Sequence, residues 1–270
     1  KMTSKSSHSR AGAIAGYNLG TIQNCINYVD ISRPENNGGT GGIVGDMNGT
    51  GAARVDGCVN YGSISSTYTA NVAMGGIVGY FTNDKNPMSV TNCTNFGSLS
   101  SKGNYLGGII GRTDYIKTNK ITIDNCDNFS NLTLDTVKTS KMGGILPELG
   151  AHILKNSNNF GNVSLLNSPT DNVTFGGLTG YSGTTTVENC NNYGSVSKVE
   201  REESTSTQAN VGGLIGVTYQ TTIKNSNNYG SISYEGTANY IGGITGWFKD
   251  TGTRTVINCG NFGDISTTGD

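Results

Sequence analysis

A short sequence unit recurs eight times along the chain, and this repetition limits the folds that the chain can adopt. Its first marker is a Gly-Gly-aliphatic run, degenerate at Gly12-Ala13-Ile14 and intact from Gly41, Gly75, Gly107, Gly143, Gly176, Gly212 and Gly242. Its second marker is an asparagine followed by an aromatic residue, at Asn27, Asn60, Asn95, Asn128, Asn159, Asn192, Asn228 and Asn261. A Cys or Ser precedes each of these asparagines by two positions, and successive copies are 31 to 36 residues apart. Such self-similarity is typical of stacked repeat architectures.

The composition of the unit argues against helical repeats of similar length. A glycine pair inside every copy would cost a helix about 1 kcal/mol per glycine. The remaining segments are short and β-branched, as in Val90-Thr91-Asn92-Cys93, which favours three short strands per copy. We therefore predict an all-β fold, a right-handed parallel β-helix (β-solenoid) of about eight coils with ~33 residues per coil. Residues 1–10 are predicted to form a polar N-terminal tail, and residues 11–270 a single solenoid domain of eight repeats.

Stacking of coils turns each position of the unit into a ladder of side chains. The asparagine before each Cys or Ser recurs in every copy except at Gly57, and it suits a left-handed corner. The second asparagine is expected to form a hydrogen-bonded amide ladder, and the aromatic residue after it a stack. Two aliphatic ladders are expected to face inward, at Ile22, Val55, Val90, Ile123, Leu154, Val187, Ile223 and Val256, and at Ile31, Ile64, Leu99, Leu132, Val163, Val196, Ile232 and Ile265.

Six cysteines raise the question of a disulfide framework. In the predicted stack, Cys190 lies between Ser157 and Ser226, so no cysteine is adjacent to it. We therefore expect six unpaired and mostly buried thiols. No Cys-x-x-Cys motif or Cys/His cluster occurs, and neither a metal site nor a cofactor is predicted.

Charge and hydropathy exclude two classes of partner. The net charge of -1 gives no electrostatic basis for binding nucleic acid. No run of apolar residues approaches the length of a membrane span, so no membrane insertion is predicted for this segment.

Catalysis by a β-helix enzyme of the polysaccharide lyase or glycoside hydrolase type would require paired carboxylates in a cleft. Asp124 and Asp127 are close in sequence, but Asp127 has no acidic counterpart in either neighbouring copy. No catalytic residue is predicted.

The residue just after the glycine strand is aromatic at Tyr17, Tyr80, Tyr181 and Trp247, and four aromatic residues of this region fall in the last three copies. Tyr181, Tyr219, Trp247 and Phe248 are therefore the candidate ligand-binding residues, because exposed aromatic faces suit sugar rings or protein partners. The alternative is that these rings cover the edge of the coils or pack under loops.

The unit resembles the GLUG repeat, as in Gly177-Leu178-Thr179-Gly180 followed by Asn189-Cys190-Asn191-Asn192-Tyr193-Gly194-Ser195-Val196. Such repeats occur in secreted or surface-anchored bacterial proteins, including adhesin-like proteins and non-catalytic regions of immunoglobulin A peptidases. The resemblance implies a non-catalytic extracellular or cell-surface module, a stalk or an adhesive surface for a host or microbial glycan or surface protein. A carbohydrate-active β-helix enzyme is the alternative. Pro147 and Ala13 depart from the motif and predict local distortion.

The ends of the repeat array lead to one more expectation. An open terminal coil exposes apolar interior and unpaired strand edges, which natural solenoids cover with capping structure. We therefore expect further domains or repeats of the same parent chain to be partners of this segment.

Overall fold

The computed structural model describes residues 2–3, 10–33, 38–82, 86–113, 121–136, 140–166, 172–199, 209–236, 238–249 and 252–268. They form about seven turns of a parallel β-solenoid with ~33 residues per turn, close to the eight coils predicted. Gly49–Gly51 is a short 3-10 turn and the only helix in these ranges. Within them, no helix has the length and hydropathy of a membrane span.

Each turn contains five strand positions rather than the three predicted. The glycine pair bends one predicted strand into two, and the corner before each Cys or Ser divides another. Of the predicted tail, Met2–Thr3 pair with strand Ile31–Arg33, and residues 1 and 4–9 lie outside the described ranges.

Strands at the same position of successive turns pair with each other, and each position therefore forms a sheet along the rod. The glycine sheet runs into the glycine pair and contains Ala11–Gly12, Gly39–Gly41, Ala73–Gly75, Tyr105–Gly107, Ser140–Gly143, Val173–Gly176, Ala209–Gly212 and Tyr240–Gly242. The post-glycine sheet contains Ala15–Asn18, Val44–Asn48, Val78–Thr82 and Ile110–Thr113, then Leu146–Leu149, Thr179–Ser182, Ile215–Thr218 and Thr245–Phe248. The aliphatic sheet contains Thr21–Gln23, Arg54–Asp56, Met88–Thr91, Ile121–Asp124, Ile153–Lys155, Thr185–Glu188, Thr221–Lys224 and Thr255–Ile257.

Two further sheets complete the turn. The asparagine sheet contains Ile26–Asn27, Val59–Asn60, Thr94–Asn95, Asp127–Asn128, Asn158–Asn159, Asn191–Asn192 and Asn227–Asn228, and a bridge continues it to Asn261. The closing sheet contains Met2–Thr3, Ile31–Arg33, Ile64–Ser66, Leu99–Ser101, Leu132–Asp135, Val163–Leu166, Val196–Val199, Ile232–Glu235 and Ile265–Thr268.

The corner between the aliphatic and asparagine sheets has the predicted left-handed backbone. Its φ angles lie between 50° and 55° at Asn24, Asn92, Asn125, Asn156, Asn189, Asn225 and Asn258. In the copy without an asparagine, Gly57 takes the same conformation with φ of 63°. Glycine and asparagine adopt this left-handed region more readily than other residues, in which the Cβ clashes with the backbone. The corner prediction is therefore confirmed, including its exception.

The second asparagine forms the predicted amide ladder inside the rod. Asn128 Nδ2 donates to Asn159 Oδ1 at 2.8 Å, and Asn159 Nδ2 donates to Asn192 Oδ1 at 2.8 Å. Equivalent bonds of 2.7 to 2.9 Å link every successive pair from Asn27 to Asn261. Each amide also turns back to the carbonyl two residues later, as Asn128 does to Ser130 O at 2.9 Å. The ladder thus satisfies buried polar groups within and between coils.

The glycine pair provides the opposite wall for these amides. A Cβ on Gly144 would collide with the side-chain amide of Asn159 and with the carbonyl oxygen of Gly177. The second glycine of every intact pair meets its asparagine in the same way, from Gly42 against Asn60 to Gly243 against Asn261. The amide ladder therefore crosses the interior and separates two apolar columns.

The two aliphatic ladders face these columns in the predicted register. Val55, Leu154 and Ile223 are fully buried in one column, and Ile64, Val163 and Ile232 in the other. The final coil differs from the prediction. Val256 and Ile265 are paired in register but 41% and 47% exposed, because no described coil lies beyond them.

Pro147 produces the distortion expected of it. The post-glycine sheet divides into two four-stranded pieces between Ile110–Thr113 and Leu146–Leu149. Proline has no N–H to donate to the neighbouring strand, so the ladder is interrupted there. Thr113 Oγ1 bridges the interruption by donating to Glu148 O at 2.9 Å.

Replacement of an interior asparagine should destabilise the protein far more than replacement of a corner asparagine. We expect Asn128→Ala to lower the free energy of unfolding by about 3 kcal/mol or more, because several buried donors and acceptors lose their partner. Asn125→Gly should cost less than about 1 kcal/mol, because glycine accepts the left-handed corner and the lost amide bond is exposed. Urea unfolding followed by circular dichroism measures both values, and equal destabilisation would contradict the assignment.

Substitution of a glycine that contacts the amide ladder can be compared with substitution of a glycine that contacts nothing. Gly144→Ala should destabilise the protein by about 3 kcal/mol or more, since the added methyl meets backbone and amide that cannot move apart. Gly20→Ala is the matched control, because nothing lies within 4 Å of its added Cβ. It should leave stability unchanged or raise it by up to about 1 kcal/mol. A stable Gly144→Ala variant in the same unfolding assay would show that the amide ladder does not lie against this glycine.

Candidate functional site

A row of paired side chains lines the outer face of the glycine bend. In each pair, one residue stands two positions before the glycine pair, and the other follows that residue by seven positions. Lys141 Nζ lies 2.9 Å from Glu148 Oε2, and the Arg112 guanidinium lies 4.5 Å from the ring centroid of Tyr105. The rings of Tyr240 and Trp247 stack with centroids 5.1 Å apart. In these three coils, side chains of the two strands therefore converge across the bend.

The row opens into a pocket in the seventh copy. Asn210 and Val217 form the pair in the seventh copy, between the larger pairs of the neighbouring coils. The resulting cavity has a volume of about 260 Å³. It is lined by Asn172, Thr174, Tyr181, Asn210, Val217, Tyr219, Trp247 and Lys249.

Three of the four candidate binding residues meet at this pocket. Tyr181 and Trp247 stand in register on either side of Val217, one coil before it and one coil after it. The Tyr219 ring lies 5.1 Å from the Tyr181 ring at an angle of 53°. Phe248 does not line the cavity and is 41% exposed. The structure therefore brings Tyr181, Tyr219 and Trp247 together and leaves Phe248 apart.

A lysine ammonium adds positive charge to the aromatic lining. Lys249 Nζ lies 5.1 Å from the ring centroid of Trp247 and 5.4 Å from that of Tyr219. The negative faces of aromatic rings attract such a cation at these distances. Lys141 Nζ likewise lies 4.7 Å from the Tyr181 centroid, while it also pairs with Glu148.

Two lining residues place polar oxygen atoms at the pocket without a hydrogen-bond partner among the described residues. One is Asn210 Oδ1, and Asn210 is only 5% exposed. Thr174 Oγ1 is buried in the preceding coil, in register with Asn210. A buried polar atom without a partner costs about 1–3 kcal/mol. Asn210 Oδ1 can only accept and therefore favours a ligand that donates a hydrogen bond, whereas the Thr174 hydroxyl can donate or accept.

A second aromatic feature extends along the whole rod. The ring after each interior asparagine stacks on the ring of the next coil, with centroids 4.5 to 5.1 Å apart. This aromatic ridge consists of Tyr28, Tyr61, Phe96, Phe129, Phe160, Tyr193, Tyr229 and Phe262. Stacking was predicted for it, and the structure adds that its rings are 38% to 72% exposed.

The cysteines belong to the core rather than to a site. All six are unpaired, as predicted; four are buried, and Cys25 and Cys259 are partly exposed. A hydrogen bond to Cys93 and burial raise the pKa of Cys58, and burial raises the pKa of Cys190 to about 12. Such thiols stay protonated near neutral pH and are poor nucleophiles and ligands. No group of His, Cys, Asp and Glu able to hold a metal ion occurs in the described part of the chain.

Comparison of the chain with protein-family models, with curated proteins and with solved structures finds no match in any of the three. The site therefore rests on its own geometry. The sequence indicated Tyr181 and Trp247 on one strand of the bend but not the row on the facing strand, which includes Thr174, Asn210 and Tyr240. These facing residues all stand two positions before a glycine pair, so the sequence identifies them once the bend at the pair is known.

Proposed function

We propose that this chain is a non-catalytic extracellular module of a bacterial surface or secreted protein, in which a rigid rod carries a glycan-binding pocket. The resemblance to GLUG repeats supports the extracellular assignment and a role as stalk or adhesive surface. Its partners are then a host or microbial glycan or surface protein, together with further domains or repeats of the parent chain.

The axial ladders support the role of a stalk. Side-chain amide bonds connect each coil to the next from Asn27 to Asn261, and parallel backbone pairing accompanies them, interrupted only in the post-glycine sheet at Pro147 among the described strands. A load along the axis would have to break many of these bonds together. Stacked coils of this kind combine stiffness with an outer surface that is free to vary.

The pocket around Val217 carries the binding proposal. Tyr181, Tyr219 and Trp247 supply apolar ring surface, and Asn210 Oδ1 supplies a buried acceptor that lacks a partner within the described ranges. Sugars present both C–H faces and hydroxyl donors, so one ligand class meets both requirements. A purely apolar ligand would leave the Asn210 oxygen unpaired.

The alternative of a carbohydrate-active enzyme needs an acid and a base beside the scissile bond. The described residues that line the pocket include no Asp or Glu. We therefore propose binding without bond cleavage at this pocket. Release of reducing ends from a polysaccharide by the purified protein would favour the enzyme instead.

Trp247 is the only tryptophan of the chain, and this makes its fluorescence a site-specific probe. We expect the emission of the protein to shift on titration with at least one member of a panel of glucose, galactose, N-acetylglucosamine, galacturonate and N-acetylneuraminate oligosaccharides. Asn210→Leu, which removes the buried acceptor, should weaken that binding about tenfold or more.

The matched control is Tyr61→Ala on the aromatic ridge, which should leave the titration unchanged because Tyr61 lies in the second coil. Binding that Tyr61→Ala abolishes and Asn210→Leu leaves intact would move the site to the ridge. No response to any sugar, by fluorescence and by calorimetry, would contradict the proposed pocket.

A further inference from the structure

We infer that Arg112 forms an anion-binding subsite on the outer face of the glycine bend, which takes a carboxylate or sulfate group of the same glycan whose sugar ring enters the pocket around Val217. This inference rests on the proposed glycan-binding function and extends it to a second contact along the rod. It follows from the position of the guanidinium, the pairing of the other charges on this face and the register of the two sites.

Two tyrosine rings hold the Arg112 guanidinium in place. Its central carbon lies 4.5 Å from the ring centroid of Tyr105 across the bend and 5.1 Å from that of Tyr80, which stands in register with it one coil earlier. Stacking on a ring occupies the flat face of a guanidinium and leaves the edge that bears its N–H donors available. The rings therefore position the group without satisfying its hydrogen bonds.

The N–H donors of Arg112 have no acceptor among the described residues. Nε is buried without a hydrogen-bond partner. The two Nη groups make no hydrogen bond or ion pair within the described ranges either, but they are not buried. Two Nη groups in one plane can donate together to both oxygens of a carboxylate or to two oxygens of a sulfate. The open edge of Arg112 is therefore suited to a bidentate anion.

The other charges at the paired positions across the bend are already matched. Among the described residues these positions carry three cations and two carboxylates. Asp46 pairs with Arg10, and Glu148 Oε2 lies 2.9 Å from Lys141 Nζ. Arg112 is the cation that remains, so this face has one positive charge in excess. The local field at Arg112 thus favours an anionic group.

The guanidinium and the pocket lie on one face of the rod. Arg112 and Val217 both follow the second glycine of their pair by four residues, in the fourth and the seventh copies. Three coils at about 4.8 Å each place them about 14 Å apart along the axis. A glycan that continues from the pocket toward the earlier coils passes Tyr181 and reaches Arg112. A second contact on the same ligand raises the overall affinity without changing the first contact.

The strand that carries Arg112 has no free edge for an extended peptide. Ile110–Thr113 pairs with Val78–Thr82 on one side, and on the other side Ile110 N donates to Ile145 O at 3.0 Å. Extended peptides gain much of their affinity by adding a strand to an open sheet edge. This face therefore favours a ligand that is bound through side chains alone, and an acidic glycan meets that requirement better than an acidic peptide does.

Galacturonate oligomers long enough to reach both sites test the inference, with pocket occupancy followed by Trp247 fluorescence and affinity by calorimetry. Arg112→Gln should weaken their binding about tenfold or more, because a charge-assisted contact is lost. It should change the binding of monomeric galacturonate and of matched neutral galactose oligomers by less than about twofold, since neither places an anion at Arg112. A parallel arm with sulfated galactose oligomers distinguishes a sulfate from a carboxylate. Dependence of either acidic oligomer on Arg112 supports the inference.

Arg54→Gln is the matched control, because it removes the same charge from an arginine that pairs with Asp56 at 3.0 Å on the aliphatic sheet. It should leave every affinity unchanged. The wild-type protein gives a readout that needs no variant to fold. In protein labelled with ¹⁵N and ¹³C, the Nε–H signal of Arg112, assigned through its own backbone, should shift with the long galacturonate oligomer and not with the galactose oligomer.

Four outcomes overturn parts of the account separately. Equal affinity of wild type and Arg112→Gln for the long acidic oligomers, with no shift of the Arg112 signal, overturns the subsite and leaves the pocket standing. An equal loss of monomer and oligomer binding in Arg112→Gln overturns the separation of the two contacts. Binding of a glutamate oligopeptide that is as tight and as dependent on Arg112 overturns the glycan as the ligand. Absence of binding to every sugar overturns the proposed function and the inference with it.

Discussion

The contact between the interior asparagine amide and the glycine pair is the constraint on which the rest of this solenoid depends. Each amide spans the interior, donates to the next coil and to its own turn, and lies against a residue without a side chain. A larger amide would not fit, and any side chain on the glycine would displace it. Asparagine and glycine therefore recur together because they meet in space, although about half a coil of sequence separates them.

This internal support leaves the outer positions free to differ from coil to coil. The pairs across the glycine bend include an ion pair at Lys141 and Glu148 and a ring stack at Tyr240 and Trp247. The backbone register is the same in both places. A pocket can therefore arise from one small pair, Asn210 and Val217, without a change in the fold. The rod provides position and rigidity, and the outer residues provide chemistry.

Periodicity in the sequence was sufficient to predict which residues stack along the axis. It gave the corner asparagines with Gly57 as their exception, the amide ladder and the stacked rings. It did not predict which positions of one coil face each other, because a repeat period carries no information about the bends within a coil. For that reason, only the structure shows that each coil has five strands and that the Asn159 amide packs against Gly144. Only the structure shows, too, that Thr174, Asn210 and Tyr240 face the strand of Tyr181 and Trp247. Phe248 follows Trp247 on one strand, and successive residues of a strand face opposite sides, so Phe248 does not share the face of the pocket.

Hydrogen exchange of asparagine side-chain amides, followed by NMR on the ¹⁵N-labelled protein, tests the amide ladder most directly. The account predicts one slowly exchanging set from the buried ladder, including Asn95, Asn128 and Asn159, with exchange that requires opening of the coils. Exposed corner amides such as Asn92 and Asn125 serve as the internal reference and should exchange rapidly. A single population of fast-exchanging asparagine amides would contradict the ladder and, with it, the architecture built on it.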